Sequence, residues 1–438
     1  MQIPDRNHDQ QKPSRREFLK RSAAALGGGA GLALARGAHA AGSDVIRMAL
    51  IGCGGRGTGA AVQALQNKAT KGVRLVAMAD AFGDRLEGSL RRIEAAQKDR
   101  VDVPPQRRFT GFDCHRGAID AGVDMVLLCT PPGFRPMQFE AAVKAGKHVF
   151  MEKPVAVDSP GVRKVLAANE QAKRRKLAVA VGLNIRHTSH VVEAVKRVQE
   201  GVLGPIHFLR AYCNNAGVWV RRRQPDQTEM QYQMRNWYYF NWLCGDHIVE
   251  QHVHLLDLVN WMKGAVPLRA NGMGGRQVRV GPDYGEIFDH HFVEFEYADG
   301  TRMFSQCRHI PGCWNCGAGI AHGTQGYADA THGIHLAGKE PIRFPRGEDG
   351  HQVEHDDLFA ALLAGRPYNE GDYGATATMT AILGRMATYS GKVLTWDEAL
   401  RSDMDLMPEK LAWDAPAPVQ PGPDGLYPCA VPGTTKAW

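Results

Sequence analysis

Lys153 is the residue of this sequence best placed to exchange a proton. It stands in Glu152-Lys153-Pro154, directly after the apolar run His148 to Met151, which reads as a strand. Ligands of open α/β sheets bind outside the carboxyl ends of the strands. An ammonium group there suits proton exchange with a substrate hydroxyl. Further along, Glu250 and His254 are four residues apart, a spacing that puts both on one face of a helix predicted over Ile248 to Met262. A carboxylate beside an imidazole orients and charges the side chain best suited to acid–base work near neutral pH. His252, two residues before His254, points elsewhere on a regular helix and reads as a packing residue with a weaker claim on substrate. No helix face gathers three of His247, Glu250, His252 and His254 with an open geometry, so no metal site is expected there.

A second chemistry is written in Val45 to Gly59, where an apolar strand runs into Gly52, Gly54 and Gly57. This G-x-G-x-x-G needs its first glycine for a tight turn, its second for close approach of a pyrophosphate, and its third for helix–strand packing. Gly55 and Arg56, inside the turn, join the dinucleotide-binding set. A second strand, Val73 to Ala79, ends in Asp80, 23 residues after Gly57, a position that suits a carboxylate bonding the ribose hydroxyls of NAD. Its charge disfavours the 2′-phosphate of NADP without forbidding it.

Candidates for substrate contact lie around these groups. Asn184, Arg186 and His187 follow the last predicted strand of the first domain and are expected to enter the cleft. Arg235, Trp237 and Asn241 belong to an aromatic-rich stretch, Met234 to Trp242. Aromatic faces beside polar groups make the amphipathic wall a sugar ring requires. His309, at a strand end, is a weaker candidate, and Arg221 to Arg223 read as a solvated loop.

These residues need a frame. Strand and helix patterns alternate over 44–184, which predicts a parallel, doubly wound Rossmann domain. Val123 to Cys129 is a continuous apolar run of the kind buried on both faces of such a sheet. Over 185–413 the texture changes to period-2 strands at Leu268 to Met273, His291 to Tyr297, Arg302 to Arg308, Ile320 to Gly326 and Ala328 to His332. They predict an α/β domain with a large open, mostly antiparallel sheet. Residues 414–438, rich in Pro and Gly, read as a surface tail.

Composition excludes several classes. The 438 residues are 44% hydrophobic and 23% charged, without a run long enough to span a membrane, so no membrane anchor is expected. Of the net charge of +7, the first forty residues supply seven Lys/Arg against three Asp/Glu. The remainder implies no nucleic-acid partner. Residues 1–40 read as a twin-arginine signal peptide, with Arg15-Arg16, a mild apolar stretch and Ala38-His39-Ala40. The expectation is export to the periplasm by the twin-arginine machinery.

Together, the glycine turn, Thr130-Pro131-Pro132, Glu152-Lys153-Pro154 and the Gly323 to Gly326 turn make the chain resemble the Gfo/Idh/MocA oxidoreductases, within them an exported twin-arginine subgroup. The resemblance implies Thr130, Pro131, Glu152 and Lys153 at the cofactor, Lys153 holding the hydroxyl that is oxidised, and Glu250 and His254 as the acidic residue and catalytic histidine. It implies a small carbohydrate substrate and a homodimer or homotetramer. Free NAD is not expected outside the cytoplasm, so an exported enzyme must carry NAD (or NADP) tightly bound and reset it within the site. The expected reaction is hydride transfer from a sugar CH–OH group to that cofactor. A glycosidase working by transient oxidation and elimination is the alternative, and a sugar-binding protein without activity a third.

Overall fold

The computed structural model describes residues 45–438; the signal segment read in residues 1–40 lies outside them. Six strands form the first sheet: β1 (Ile46–Ile51), β2 (Val73–Asp80), β3 (Arg108–Thr110), β4 (Met125–Leu128), β5 (His148–Met151) and β6 (Val179–Val181). Their order is β3-β2-β1-β4-β5-β6 and every pairing is parallel. The residues of β4 and Met48 to Ile51 of β1 are fully buried, because helices cover both faces of the sheet. The order reverses between β1 and β4, and a crevice opens there at the strand ends.

The second sheet comprises β7 (Ile206–Asn215), β8 (Arg269–Gly275), β9 (His290–Glu296), β10 (Arg302–His309), β11 (Cys316–Gly323), β12 (Gly326–Asp329), β13 (Gly333–Leu336) and β14 (Leu394–Thr395). Its order is β13-β12-β11-β7-β10-β9-β8-β14. Only β7 and β10 pair in parallel; the other neighbours are antiparallel, as the period-2 pattern predicts. Along β9 and β10 buried residues alternate with part-exposed ones, so one face packs on helices and the other stays open.

Three elements depart from the sequence reading. The helix expected over Ile248 to Met262 is broken, with a short turn His247–Glu250, then Gln251 and His252, then a helix Val253–Lys263. The strand expected over Ile320 to Gly326 starts earlier, at Cys316, and ends at Gly323. Thr324 and Gln325 make the turn, and Gly326 already pairs in β12. The tail is no loose strap either. Ala417 and Tyr427 are buried against Tyr232, Phe240 and Trp242, and Ala437 joins the main core.

The helix Gly350–Leu363 follows seven of the eight strands of the second sheet in sequence yet covers the first. Leu358 and Phe359 are fully buried with Met48, Leu65 and Phe150. The chain then passes along β6, where Val179 N–H donates to Tyr368 O (2.9 Å) and Glu370 N–H donates to Val179 O (2.9 Å). The helix Gly371–Ser390, buried along nearly its whole length, runs on between the helix Ser159–Arg174 and β8. Its buried threonine and serine hydroxyls are satisfied within the helix, Thr378 donating to Gly374 O (2.8 Å) and Ser390 to Met386 O (2.7 Å). Truncating Phe359→Ala removes a fully buried ring and is expected to cost about 3–5 kcal/mol, read as a lowered urea midpoint with an unchanged slope.

Candidate active site

A cleft of ≈ 540 Å³ lies at the crevice, walled by the ends of the first sheet on one side and by the segment 218–254 on the other. Its floor is the glycine turn. Gly52 has φ +98°, and a Cβ there would lie 2.4 Å from Cys129 C and Thr130 N. A Cβ on Gly57 would sit 1.9 Å from Gly52 O. A Cβ on Gly54 would meet nothing within 4 Å, so this glycine leaves room for a ligand and not for the protein. The helix Gly55–Gln66 begins inside the turn, with Gly54 as its N-cap, so its first free N–H groups lie at that space.

Asp80 closes one end. Its Oδ2 accepts from Cys53 N–H (2.7 Å) and its Oδ1 from Phe82 N–H (2.9 Å). Burial pushes its carboxyl up and these two donors pull it back. Each oxygen keeps a lone pair for a ribose hydroxyl. At the other end Glu152 is held twice: its carboxylate accepts from Arg56 Nε, and its carbonyl from Arg135 Nε. Arg135 is itself buried, and both its terminal nitrogens donate to Thr130 O (2.9 and 2.8 Å). One guanidinium thus ties the ends of β4 and β5 together. Burial pushes it down to about 10, so it stays charged at neutral pH.

Lys153, next to Glu152 and followed by a cis peptide bond to Pro154, points across the cleft. Its Nζ donates to Glu250 O (2.6 Å) and Glu250 Oε1 (3.1 Å). The broken helix explains the first bond. In an unbroken helix the Glu250 carbonyl would accept from His254 N–H; here His254 N–H turns to Gln251 O (3.4 Å), and Glu250 O is free for the lysine. Glu250 and His254 therefore share the cleft wall without sharing one helix. Burial first, then the Lys153 ammonium, hold His254 well below the usual histidine range, and its Nδ1 has no hydrogen-bond partner among the described residues. It is a neutral base beside a fixed cation.

Gly52, Gly54, Gly55, Arg56, Gly57, Asp80, Thr130, Pro131, Glu152 and Lys153 all line the cleft, as do Glu250, His254 and Trp237. Six residues predicted for substrate do not. Arg186 is spent on a bidentate pair with Asp257 (2.8 Å each), with Tyr373 4.1 Å from its guanidinium carbon. His187 bonds Asp357 and faces Glu370; against the effect of burial, these carboxylates hold it up at about 10. Asn184 bonds His351 (3.3 Å). Asn241 is buried, its N–H donating to Glu286 Oε1 (2.9 Å). His252 is fully buried on Ser305 Oγ (2.7 Å). Arg235 pairs with Asp84 and covers Phe82, 3.9 Å from its ring centre.

Other residues take their place. Trp219, Trp237 and Tyr238 meet edge-on or tilted, with centroids 5.7–6.1 Å apart, and all three line the cleft. Arg221, read as a solvated loop residue, lies over Trp219 in the same wall. At the Asp80 end, Phe82 and Phe112 line the cleft, and Trp413 packs on both from behind at 5.0 and 4.4 Å. The Trp219 pair with Arg221 was visible in sequence as an aromatic beside a basic run; Trp413 carried no such signal.

Residues 46–182 match the family model of the Gfo/Idh/MocA oxidoreductases, described as an oxidoreductase family with an NAD-binding Rossmann fold. The match supports that family for this domain, and a nicotinamide cofactor with it. The inositol 2-dehydrogenase of Rhizobium meliloti is 26% identical over 223 residues, 51% of this chain and 56% of the relative. The 2,7-anhydro-N-acetylneuraminate hydratase of Escherichia coli is 28% identical over 178 residues, 41% of this chain and 44% of the relative. The chain thus spans about half the length of the curated relatives it matches. The solved aldose-aldose oxidoreductase of Caulobacter crescentus superposes with a TM-score of 0.63 at 21% identity, over 80% of this chain and 99% of that one. An oxidoreductase of Thermotoga maritima gives 0.63 at 18% identity, over 81% and 99%. Both share the two-sheet fold.

The glycine geometry separates two roles. Gly54→Ala is expected to fold with an unchanged melting temperature and to weaken dinucleotide binding. Gly57→Ala, driven into Gly52 O, should lose both. Calorimetry with and without added dinucleotide checks the pair.

Proposed function

We propose, from the NAD-binding domain formed by residues 46–182, that this chain is an NAD(P)-dependent oxidoreductase of sugar CH–OH groups, exported with its cofactor bound. The observation that carries the reading is the Lys153 ammonium, fixed on Glu250 beside a neutral His254 in a dinucleotide cleft. The glycine turn, Asp80 and the Glu152 wall would hold the dinucleotide, which supplies the hydride acceptor when bound. Lys153 would hold the substrate oxygen and steady its growing negative charge. His254 would take the hydroxyl proton, and Glu250 keeps the lysine aimed. The aromatic wall of Trp219, Trp237 and Tyr238 supports a sugar ring as the body of the substrate.

Asp80 supports NAD over NADP, while Arg85 on the same wall offers a cation to a 2′-phosphate. Retention is supported by Trp413, which backs Phe82 and Phe112 where an adenine would lie. Arg15-Arg16 and Ala38-His39-Ala40 support export by the twin-arginine route. The open face of the second sheet carries Met273 and Trp314, 73% and 64% exposed, which supports pairing with another copy. The hydratase relative favours a second reading of the same site, in which a sugar is oxidised transiently, loses its aglycone by elimination and is reduced again. Cleavage of a glycoside without net redox change would select it.

Denaturing the mature protein is expected to release a stoichiometric nicotinamide dinucleotide, whose mass reports the 2′-phosphate. Trp413→Ala should shorten its residence on the folded enzyme; release of no nucleotide defeats the retained-cofactor reading. Lys153→Ala should lower kcat/KM by about 10²–10⁴-fold. Because His254 stays unprotonated below its ordinary value of 6.5, the wild-type rate should remain flat as pH falls through that value and decline only well below it. Full turnover by Lys153→Ala would sink both enzymatic readings.

A further inference from the structure

Behind the cleft wall lies a cluster that the proposed reaction does not use. Asp246 is fully buried and holds φ +73°, ψ 160°, a left-handed conformation a non-glycine residue keeps only when its surroundings dictate it. Its Oδ2 accepts from Phe288 N–H (2.9 Å) and from the Tyr389 hydroxyl, and its Oδ1 from His247 N–H. The carboxylate is therefore locked in place. Two imidazole nitrogens converge on the same Oδ1: His291 Nε2 at 3.2 Å and His247 Nε2 at 3.8 Å. All three atoms lie within 4.8 Å of one another. Neither nitrogen has a hydrogen-bond partner among the described residues, and His247 and His291 are 1% and 3% exposed.

Thr388 Oγ1, which also lies 3.1 Å from Gly384 O and 3.0 Å from Arg385 O of its own helix, sits 2.9 Å from His291 Nδ1 and turns the opposite nitrogen, Nε2, onto the carboxylate. His309 stacks on His247 at 4.3 Å, and neither of its own nitrogens has a hydrogen-bond partner among the described residues, so it gives His247 Nε2 no partner either. A cation held by both Nε2 atoms and Oδ1 would satisfy all three atoms at once.

We propose that Asp246, His247 and His291 form a structural site for a divalent transition cation of the zinc class. The separations of 3.2 and 3.8 Å straddle the edge of about 3.4 Å expected when ligands lie about 2.1 Å from a tetrahedral ion. Two imidazoles and one carboxylate suit zinc or a neighbouring first-row metal better than calcium or magnesium. Thr388, Tyr389 and Phe288 N–H aim the ligands in the way outer partners of metal sites do. The ion would fasten β9 and the helix Gly371–Ser390 to the turn that presents Glu250 to Lys153.

Metal analysis of the purified, cofactor-bound protein tests the site directly. The expected result is a stoichiometric divalent metal, lost in His291→Gln and retained in the control His332→Gln at an exposed histidine, with a melting temperature lowered by chelation and restored by added zinc. A folded wild type with sub-stoichiometric metal, and a melting temperature indifferent to both chelator and zinc, overturns the proposal and leaves an ion pair. Should His291→Gln not fold, anomalous diffraction from wild-type crystals decides: a peak among the three ligand atoms supports the site, and a flat map there refutes it.

Discussion

The bond from Lys153 to Glu250 is the constraint around which the two halves of this protein are arranged. The lysine ends a strand of the first sheet, and the glutamate belongs to the helical wall under the second. Their side chains are only 15% and 12% exposed, and a half-buried ion pair persists only when its remaining donors and acceptors are satisfied. Here the ammonium also takes a main-chain carbonyl, released because the helix stops at Glu250. The interruption that looks like a flaw in the helix is what positions the cation. Arg135 performs the matching service beneath, fixing the carbonyls of Thr130 and Glu152 so that the strand end carrying Lys153 cannot drift.

Legibility in the sequence followed the range of the interactions. Gly57 and Asp80 could be read because their constraints act within one strand–turn–helix–strand unit, on Gly52 O and Cys53 N–H. Gly52 could be read from its turn although the backbone it must clear, at Cys129 and Thr130, is distant in sequence, and Lys153 because strand ends in a parallel sheet face a crevice. Arg186 and His187 follow β6 as expected, yet Asp257 and Glu370, distant in sequence, claim both charges before any substrate could. Nothing local to residues 184–187 announces those partners. The break at Gln251 was hidden for the opposite reason: the apolar period of Ile248 to Met262 continues through it, since both pieces are largely buried. Trp413 was masked by its setting directly before the Pro-rich tail.

The cleft has two differently built ends. At the substrate end the wall is Trp219, Trp237 and Tyr238, large flat surfaces with Arg221 at their edge. At the nucleotide end, Phe82 and Phe112 are both backed by Trp413, from the far end of the chain, and Phe82 is also covered by Arg235, which pairs with Asp84.

The helix Gly350–Leu363 carries a consequence for the order of assembly. The first sheet is complete in sequence by Val181, but one of its faces is sealed by Leu358 and Phe359, and β6 takes hydrogen bonds from Tyr368 to Glu370. Contacts so distant along the chain form late, since closing the long loop between them costs entropy before it is rewarded. A ribosome that has released only the first two hundred residues therefore displays a nucleotide domain with a bare apolar flank. Such a nascent domain completes its apolar core, and the far wall of its cleft, only once residues well beyond its own sheet have been made.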